Sequence, residues 1–235
     1  MTMQDECVIV TGASGNLGSA VATLLAERGA SVVCVDRGTH DHAEMIARHG
    51  KYRLLFLDDR DLTDKSAAEA VVAEAKARYG KVTGLVNTVG GFKMGKVGDE
   101  ALGQWDMMML LNARVGLITS AAVLPAMLEG GRGSIVHIAA QPALKAGAGQ
   151  AAYAASKAAL LRMVEALAVE HRKDRITANC VLPGTIDTPQ NRAAMPDAKP
   201  DTFTRPEAIA ELIAFLVSPA GAVVTGGAIP ATMPI

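Results

Sequence analysis

Tyr153 and Lys157 stand four residues apart in Gln150-Ala-Ala-Tyr-Ala-Ala-Ser-Lys-Ala-Ala-Leu-Leu161, a run free of Gly and Pro. Ala and Leu dominate it, which favours helix, and a spacing of four puts both side chains on one helical face. A phenol beside an ammonium is a candidate proton donor, because the positive charge favours phenolate and lowers the Tyr pKa. The flanking alanines keep that face low enough for a flat ligand to approach. Taken alone the pair decides little, since the same spacing occurs on many helices that do no chemistry.

A second constellation lies near the N-terminus. Cys7-Val-Ile-Val-Thr11 reads as an apolar strand and leads at once into Gly12-Ala-Ser14-Gly15-Asn16-Leu17-Gly18. A helical pattern follows, with Leu17, Val21, Leu24 and Leu25 as its stripe and Gly29 as its stop. The next strand, Ser31-Val-Val-Cys-Val-Asp36, ends in an acid. Glycines at such a turn let the backbone approach a pyrophosphate, and the helix N-terminus supplies positive potential and free N–H groups. Asp36, 18 residues beyond Gly18, is spaced to accept hydrogen bonds from a ribose diol. It would repel a 2′-phosphate that the adjacent Arg37 would attract, and the balance favours NAD(H) over NADP(H).

These residues need a frame to hold them. Residues 52–57, 84–87, 134–139 and 176–181 read as further strands, and the tail around 222–229 as a seventh. Helical patterns alternate with them, over about 64–79 and in a long run ending near Glu129. Near-continuous apolar strands alternating with helices predict a parallel sheet covered on both faces. The expected fold is α/β, a doubly wound, Rossmann-type sheet of about seven strands in a single domain over residues 1–235. The Pro-rich segment 183–206 is the one long irregular stretch, and its length suggests a loop over a site.

Composition narrows the partners. The formal net charge is -1 and the longest basic run is Arg172-Lys173, which argues against nucleic acid or an acidic membrane surface. Residues 107–128 are apolar enough to suggest a membrane span, but Asn112, Arg114 and Pro125 interrupt them and Gly116 weakens them; a buried helix is expected. The acidic N-terminus runs straight into a strand with no visible leader, which points to the cytoplasm. Three unpaired cysteines in apolar runs fit a reducing compartment, and no metal site is expected.

Thr11-Gly12 through Gly18, Asn87-Thr-Val89-Gly90, Asn112, Tyr153-x-x-x-Lys157 and Pro183-Gly184 through Thr188 occur in one order along the chain. With these motifs at these spacings, the chain resembles the short-chain dehydrogenase/reductase superfamily over essentially its whole length. The resemblance implies that Tyr153 exchanges a proton with the substrate. Lys157 would bind the nicotinamide ribose, and Asn112 would hold a water linking Lys157 to solvent. Asp61 and Leu62 would bracket adenine, Asn87 would steady the sheet and meet the adenosine ribose, and Ile186 and Thr188 would meet the carboxamide. It also implies a homodimer or homotetramer joined through the long helices, for which the small apolar residues Ala158, Ala159, Met163 and Ala166 are suited.

Two departures stand out. Gly12, Gly15 and Gly18 are evenly spaced, whereas the family's middle Gly usually falls where Asn16 stands. More consequentially, the family's Ser thirteen residues before the Tyr is here Ala140, with Gln141 as its only polar neighbour. Loss of a well-placed oxyanion donor ordinarily costs about 2.7–4 kcal/mol. The chain therefore resembles the dihydropteridine reductase branch, which lacks that Ser. The likeness extends to Val89-Gly-Gly-Phe92 and to the loop Leu182-Pro-Gly-Thr-Ile-Asp187-Thr-Pro-Gln-Asn191-Arg192. A quinonoid ring accepts hydride with less polarisation of an oxygen. Asn191 and Arg192 either face the substrate or anchor the loop. Two functions fit: a nicotinamide-dependent oxidoreductase acting on a small carbonyl, imine or quinonoid compound, or a nucleotide-binding sensor or scaffold that has lost catalysis. Ala140 is the main support for the second, and intact Asn112, Tyr153 and Lys157 oppose it.

Overall fold

The computed structural model describes residues 2–49 and 53–232. Seven strands form one sheet: β1 (Cys7–Thr11), β2 (Ser31–Val35), β3 (Arg53–Leu57), β4 (Gly84–Asn87), β5 (Gly133–Ile138), β6 (Ile176–Pro183) and β7 (Ala228–Ala231). Their order is β3-β2-β1-β4-β5-β6-β7, and every pair is parallel. Tyr52, expected to begin the third strand, lies outside the described residues. The expected seventh strand is displaced: residues 219–223 form a 3₁₀ turn and pairing starts only at Ala228.

The strands are buried on both faces because their side chains alternate between two helical layers. Cys7, Ile9, Val33 and Val35 face the layer of α3 (Lys65–Tyr79), α5 (Val115–Gly130) and α6 (Ala151–Glu170). Val8, Val10, Val32 and Cys34 face α1 (Asn16–Glu27) and α8 (Pro206–Leu216). A one-residue slip of β1 would exchange the two sets, so the register Val8↔Val32 is fixed from both sides. Asp64 starts α3 by accepting from the Ser66 N–H, and Gly80 ends it at φ 78°. Two shorter helices, α2 (Ala43–His49) and α7 (Pro189–Ala194), lie in the loops after β2 and β6.

The long apolar run forms α4 (Asp99–Met109), a π turn at Leu110–Arg114, and α5. Length and apolarity would allow Asp99–Gly130 to cross a membrane, but Val115, Val123, Ala126 and Met127 pack against the sheet. Residues 183–206 are less irregular than expected. They contain α7, a 3₁₀ turn at Pro200–Thr202 and a β-bridge between Ile186 and Thr204.

Candidate active site

The strand order reverses between β1 and β4, and a crevice opens there at the carboxyl ends of the strands. It is a cleft of about 690 Å³, floored by Gly12 and the turn Ser14–Gly18. Gly15 caps α1 without any side-chain hydrogen bond, so the first N–H groups of that helix face the cleft with no intrahelical acceptor. A Cβ on Gly18 would sit 2.0 Å from the Gly12 carbonyl oxygen; only hydrogen fits where helix and turn touch. Free N–H groups, a helix dipole and a bare backbone together suit a pyrophosphate.

Asp36 follows β2 and is buried beside this turn. The Ser14 N–H donates to both of its carboxylate oxygens, at 3.1 and 3.0 Å, and the Ser14 hydroxyl donates to Oδ1 at 2.7 Å. Arg37 is exposed on the rim. Asp61 and Leu62 form the opposite wall. The Asp61 carboxyl is held below the usual carboxylate range by hydrogen bonds from the Thr63 backbone and then its hydroxyl. Val89 and Gly90 continue the lining, and Ile186 and Thr188 close its far end.

Asn87, expected to steady the sheet and meet the adenosine ribose, turns its side chain into the core. Its Oδ1 accepts from the Thr11 hydroxyl at 2.6 Å, and its Nδ2 lies 3.1 Å from His137 Nδ1. Burial pushes His137 down to about 3, so the ring is neutral; Nδ1 accepts from Asn87 and Nε2 faces the Ser120 hydroxyl at 2.8 Å. Asn87 is a sheet-bracing residue here. Pro183 and Gly184 end β6 behind the cleft, where Gly184 N–H donates to Ala231. Sequence reasoning missed His40, Arg60, Thr63, Thr88, Leu111 and Val115 as lining residues. Thr88 alone had a local signal, its place at the end of β4.

Tyr153 and Lys157 sit on the first turns of α6 as their spacing predicts. Lys157 is buried, and its Nζ donates to the Ile138 carbonyl at 2.7 Å. Burial pushes that ammonium down to about 8. Tyr153 behaves opposite to expectation: burial pushes it up to about 12. The reason is geometric, because the Lys157 ammonium is held by the strand carbonyl and burial of the phenol dominates. The Tyr153 ring meets Phe92 edge to face at 4.9 Å, and its hydroxyl bonds to none of the described residues.

Asn112 occupies the π turn rather than a regular helical turn. Its Oδ1 accepts from Gly91 N–H at 2.9 Å, and its Nδ2 donates to Gly91 O and to Ser156 Oγ, both at 3.0 Å. It thereby ties the loop after β4 to α6. That loop passes so close that a Cβ on Gly90 would lie 2.8 Å from Asn112 Oδ1 and 3.0 Å from Lys157 Nζ. Asn112, Lys157 and the cleft wall are therefore one assembly.

Ala140 is buried directly after β5, where it brings no donor. Gln141 Nε2 turns toward the Leu182 carbonyl at 3.4 Å. Asn191 and Arg192 anchor the loop. Asn191 Nδ2 donates to Ile186 O at 2.8 Å, and Arg192 makes a two-pronged pair with Asp187 while its guanidinium lies 5.8 Å from the Phe203 ring.

Comparison with known proteins agrees with this geometry. The model of the short chain dehydrogenase family matches residues 6–199. An NAD-dependent glycerol dehydrogenase of Listeria innocua is 34% identical, covering 94% of this chain and 90% of its own. A 3-oxoacyl-acyl-carrier-protein reductase of Vibrio cholerae is 30% identical, over 96% and 95%. Among solved structures, 7α-hydroxysteroid dehydrogenase complexed with NADH and 7-oxo glycochenodeoxycholic acid superposes with a TM-score of 0.88. It is 27% identical and covers 98% of this chain and 94% of that one. A short-chain type dehydrogenase/reductase from Mycobacterium ulcerans reaches a TM-score of 0.91 at 25% identity, over 98% and 89%. By its family match and the extent of these relatives, the chain belongs to the short-chain dehydrogenase/reductase family and is an oxidoreductase.

Proposed function

We propose that the chain is an NAD(H)-dependent reductase of a flat, conjugated cyclic substrate, a quinonoid dihydropterin being the first to test. Bound NADH would supply the hydride. The Gly12–Gly18 turn would hold its pyrophosphate, Asp36 its adenosine ribose and Lys157 its nicotinamide ribose. Tyr153 would deliver the proton that balances the hydride. Burial pushes the phenol up to about 12, so it is protonated at neutral pH, the form a proton donor needs. The observation that carries the substrate class is Ala140. Ala140 brings no hydroxyl to the position where the family's Ser would polarise a carbonyl, while Phe92 presents an exposed aromatic ring against the phenol. An acceptor already electron-poor needs the least help from such a site.

Purified protein with NADH should oxidise the cofactor faster with quinonoid dihydropterin than with aliphatic ketones. Turnover of simple ketones, with the quinonoid acceptor at background, would overturn the substrate class.

The outer face of α4–α6 is assigned to a second copy of the chain. Met109, Leu110, Ala113, Leu117, Ala159 and Met163 line a groove of about 610 Å³. Leu102, Trp105 and Leu117 remain exposed at 73%, 43% and 55%, an apolar surface of the kind that marks association. Sedimentation at micromolar concentration should give at least twice the 24.3 kDa chain mass; a monomer would overturn the assignment.

A further inference from the structure

The sheet face under α5 and α6 is apolar below the cleft and turns polar at the strand ends. Thr11, Asn87 and His137 stand in register on β1, β4 and β5. Each lies two residues beyond a core residue of its strand, Ile9, Leu85 or Ile135, and so shares that residue's face. Thr11 donates to Asn87 and Asn87 to His137, which leaves the His137 Nε2–H for the Ser120 hydroxyl on α5 at 2.8 Å. All four residues are buried, none more than 2% exposed. Polar groups in such a place cost free energy unless they are bonded. Apolar residues of similar shape would carry no such risk, so the row needs another reason.

What the row holds together is the pair of strand ends beside Lys157. His137 is followed by Ile138, whose carbonyl accepts from Lys157 Nζ at 2.7 Å. Asn87 is followed by Thr88, Val89 and Gly90, where a Cβ would fall 3.0 Å from the same Nζ. Strand pairing between β4 and β5 ends at Asn87 and His137, so beyond them no ladder sets the gap into which the ammonium fits. The Asn87–His137 bond closes the ladder at that last pair. Room for the ring is made on α5: a Cβ on Gly116 would lie 3.4 Å from the His137 ring and 2.6 Å from Leu160 Cδ1 on α6.

We propose that His137 is a positioning residue for the reaction: bonded to Asn87 on one side and to Ser120 on the other, it fixes the separation of the β4 and β5 ends. Through the Ile138 carbonyl and the Gly90 backbone it thereby sets where the Lys157 ammonium meets the nicotinamide ribose. The bond to Asn87 is the one that serves the chemistry, because it joins the two strands that flank the ammonium. The bond to Ser120 holds the ring to α5 and serves stability. The inference rests on the assignment of Lys157 to the nicotinamide ribose.

Two variants of similar shape separate the two bonds. The amide of His137→Asn reaches the place of Nδ1 and still meets Asn87, whereas the amide of His137→Gln reaches the place of Nε2 and still meets Ser120. With NADH and a quinonoid acceptor, kcat should stay within about threefold of wild type for His137→Asn and fall about 10–10²-fold for His137→Gln, the scale of a sub-ångström to ångström misplacement. KM for the acceptor should stay within about twofold in both, since no acceptor contact is removed. Asn87→Ala breaks the same link from β4; it should lose kcat as His137→Gln does, and the double variant should lose no more than either. If His137→Gln does not fold, Asn87→Ala against His137→Asn carries the same comparison. Thermal melts rank stability separately, and a merely structural role would make kcat follow Tm. Equal losses in His137→Asn and His137→Gln, a loss in His137→Asn alone, full turnover in both, or losses that multiply in the double variant would overturn the inference. Failure of wild type to oxidise NADH with any acceptor would instead bring down the proposed function, and this inference with it.

Discussion

Tyr153→Phe should lower kcat by about 10²–10⁴-fold, the usual worth of a positioned proton donor, and leave NADH affinity nearly unchanged. The hydroxyl is the only group removed, and it bonds to none of the described residues. The ring that remains keeps its edge-to-face contact with Phe92 at 4.9 Å. Stability should therefore stay within about 0.5 kcal/mol of wild type, so a loss of turnover cannot be blamed on unfolding. Single-turnover NADH oxidation alongside fluorescence titration separates the two effects. Full turnover in the variant would remove Tyr153 from the chemistry.

Lys157→Met should divide activity and stability in opposite directions. Turnover should fall by about 10²-fold or more, because the group assigned to the ribose and set beside the phenol is lost. The folded protein, however, holds this ammonium down to about 8 from an ordinary 10.5, through burial. Above pH 10.5 both folded and unfolded lysines are neutral and the site costs nothing. As pH falls toward 8 the unfolded chain takes up the proton first, so stability declines; below 8 the full penalty persists. Methionine carries no charge and fills a similar length. At pH 7 the variant should be more stable by about 1–3 kcal/mol, a rise in Tm of roughly 2–10 °C. That advantage should shrink between pH 8 and 10.5. Thermal melts at pH 7 and pH 10 check the sign, and a variant melting lower at pH 7 would show that the Ile138 hydrogen bond outweighs burial.

Much of this was legible in the residues because the signals are local. Apolar runs of β-branched residues specify strands wherever both faces are covered, and the Gly12–Gly18 turn with Asp36 describes its own geometry. Tyr153 and Lys157 needed only helical spacing. What escaped was set by residues distant in the chain. Lys157 is bound by a carbonyl at Ile138 on another element, which left the phenol governed by burial and reversed its expected shift. Asn87 carries a cofactor motif, yet its amide is turned to Thr11 and His137 in the core. Arg192 pairs with Asp187, which precedes the short helix α7, and its guanidinium also meets Phe203 across the loop. His40 and Arg60 line the cleft from the segments after β2 and β3, distant in the chain from its other walls.

The π turn at Leu110–Arg114 has a consequence for the length of the chain. A π turn holds one residue more than the α-helix around it needs. Shortening the segment by one residue would let α4 run straight into α5, with the sheet contacts of Val123 and Met127 undisturbed. The architecture could therefore spare that residue, but Asn112 could not, because its reach to Gly91 and Ser156 depends on the bulge. The same turn sends Leu110, Ala113 and Arg114 outward to the apolar groove. The wall of the cleft on one side and the apolar groove on the other thus hang on a single amino acid that the fold itself does not require.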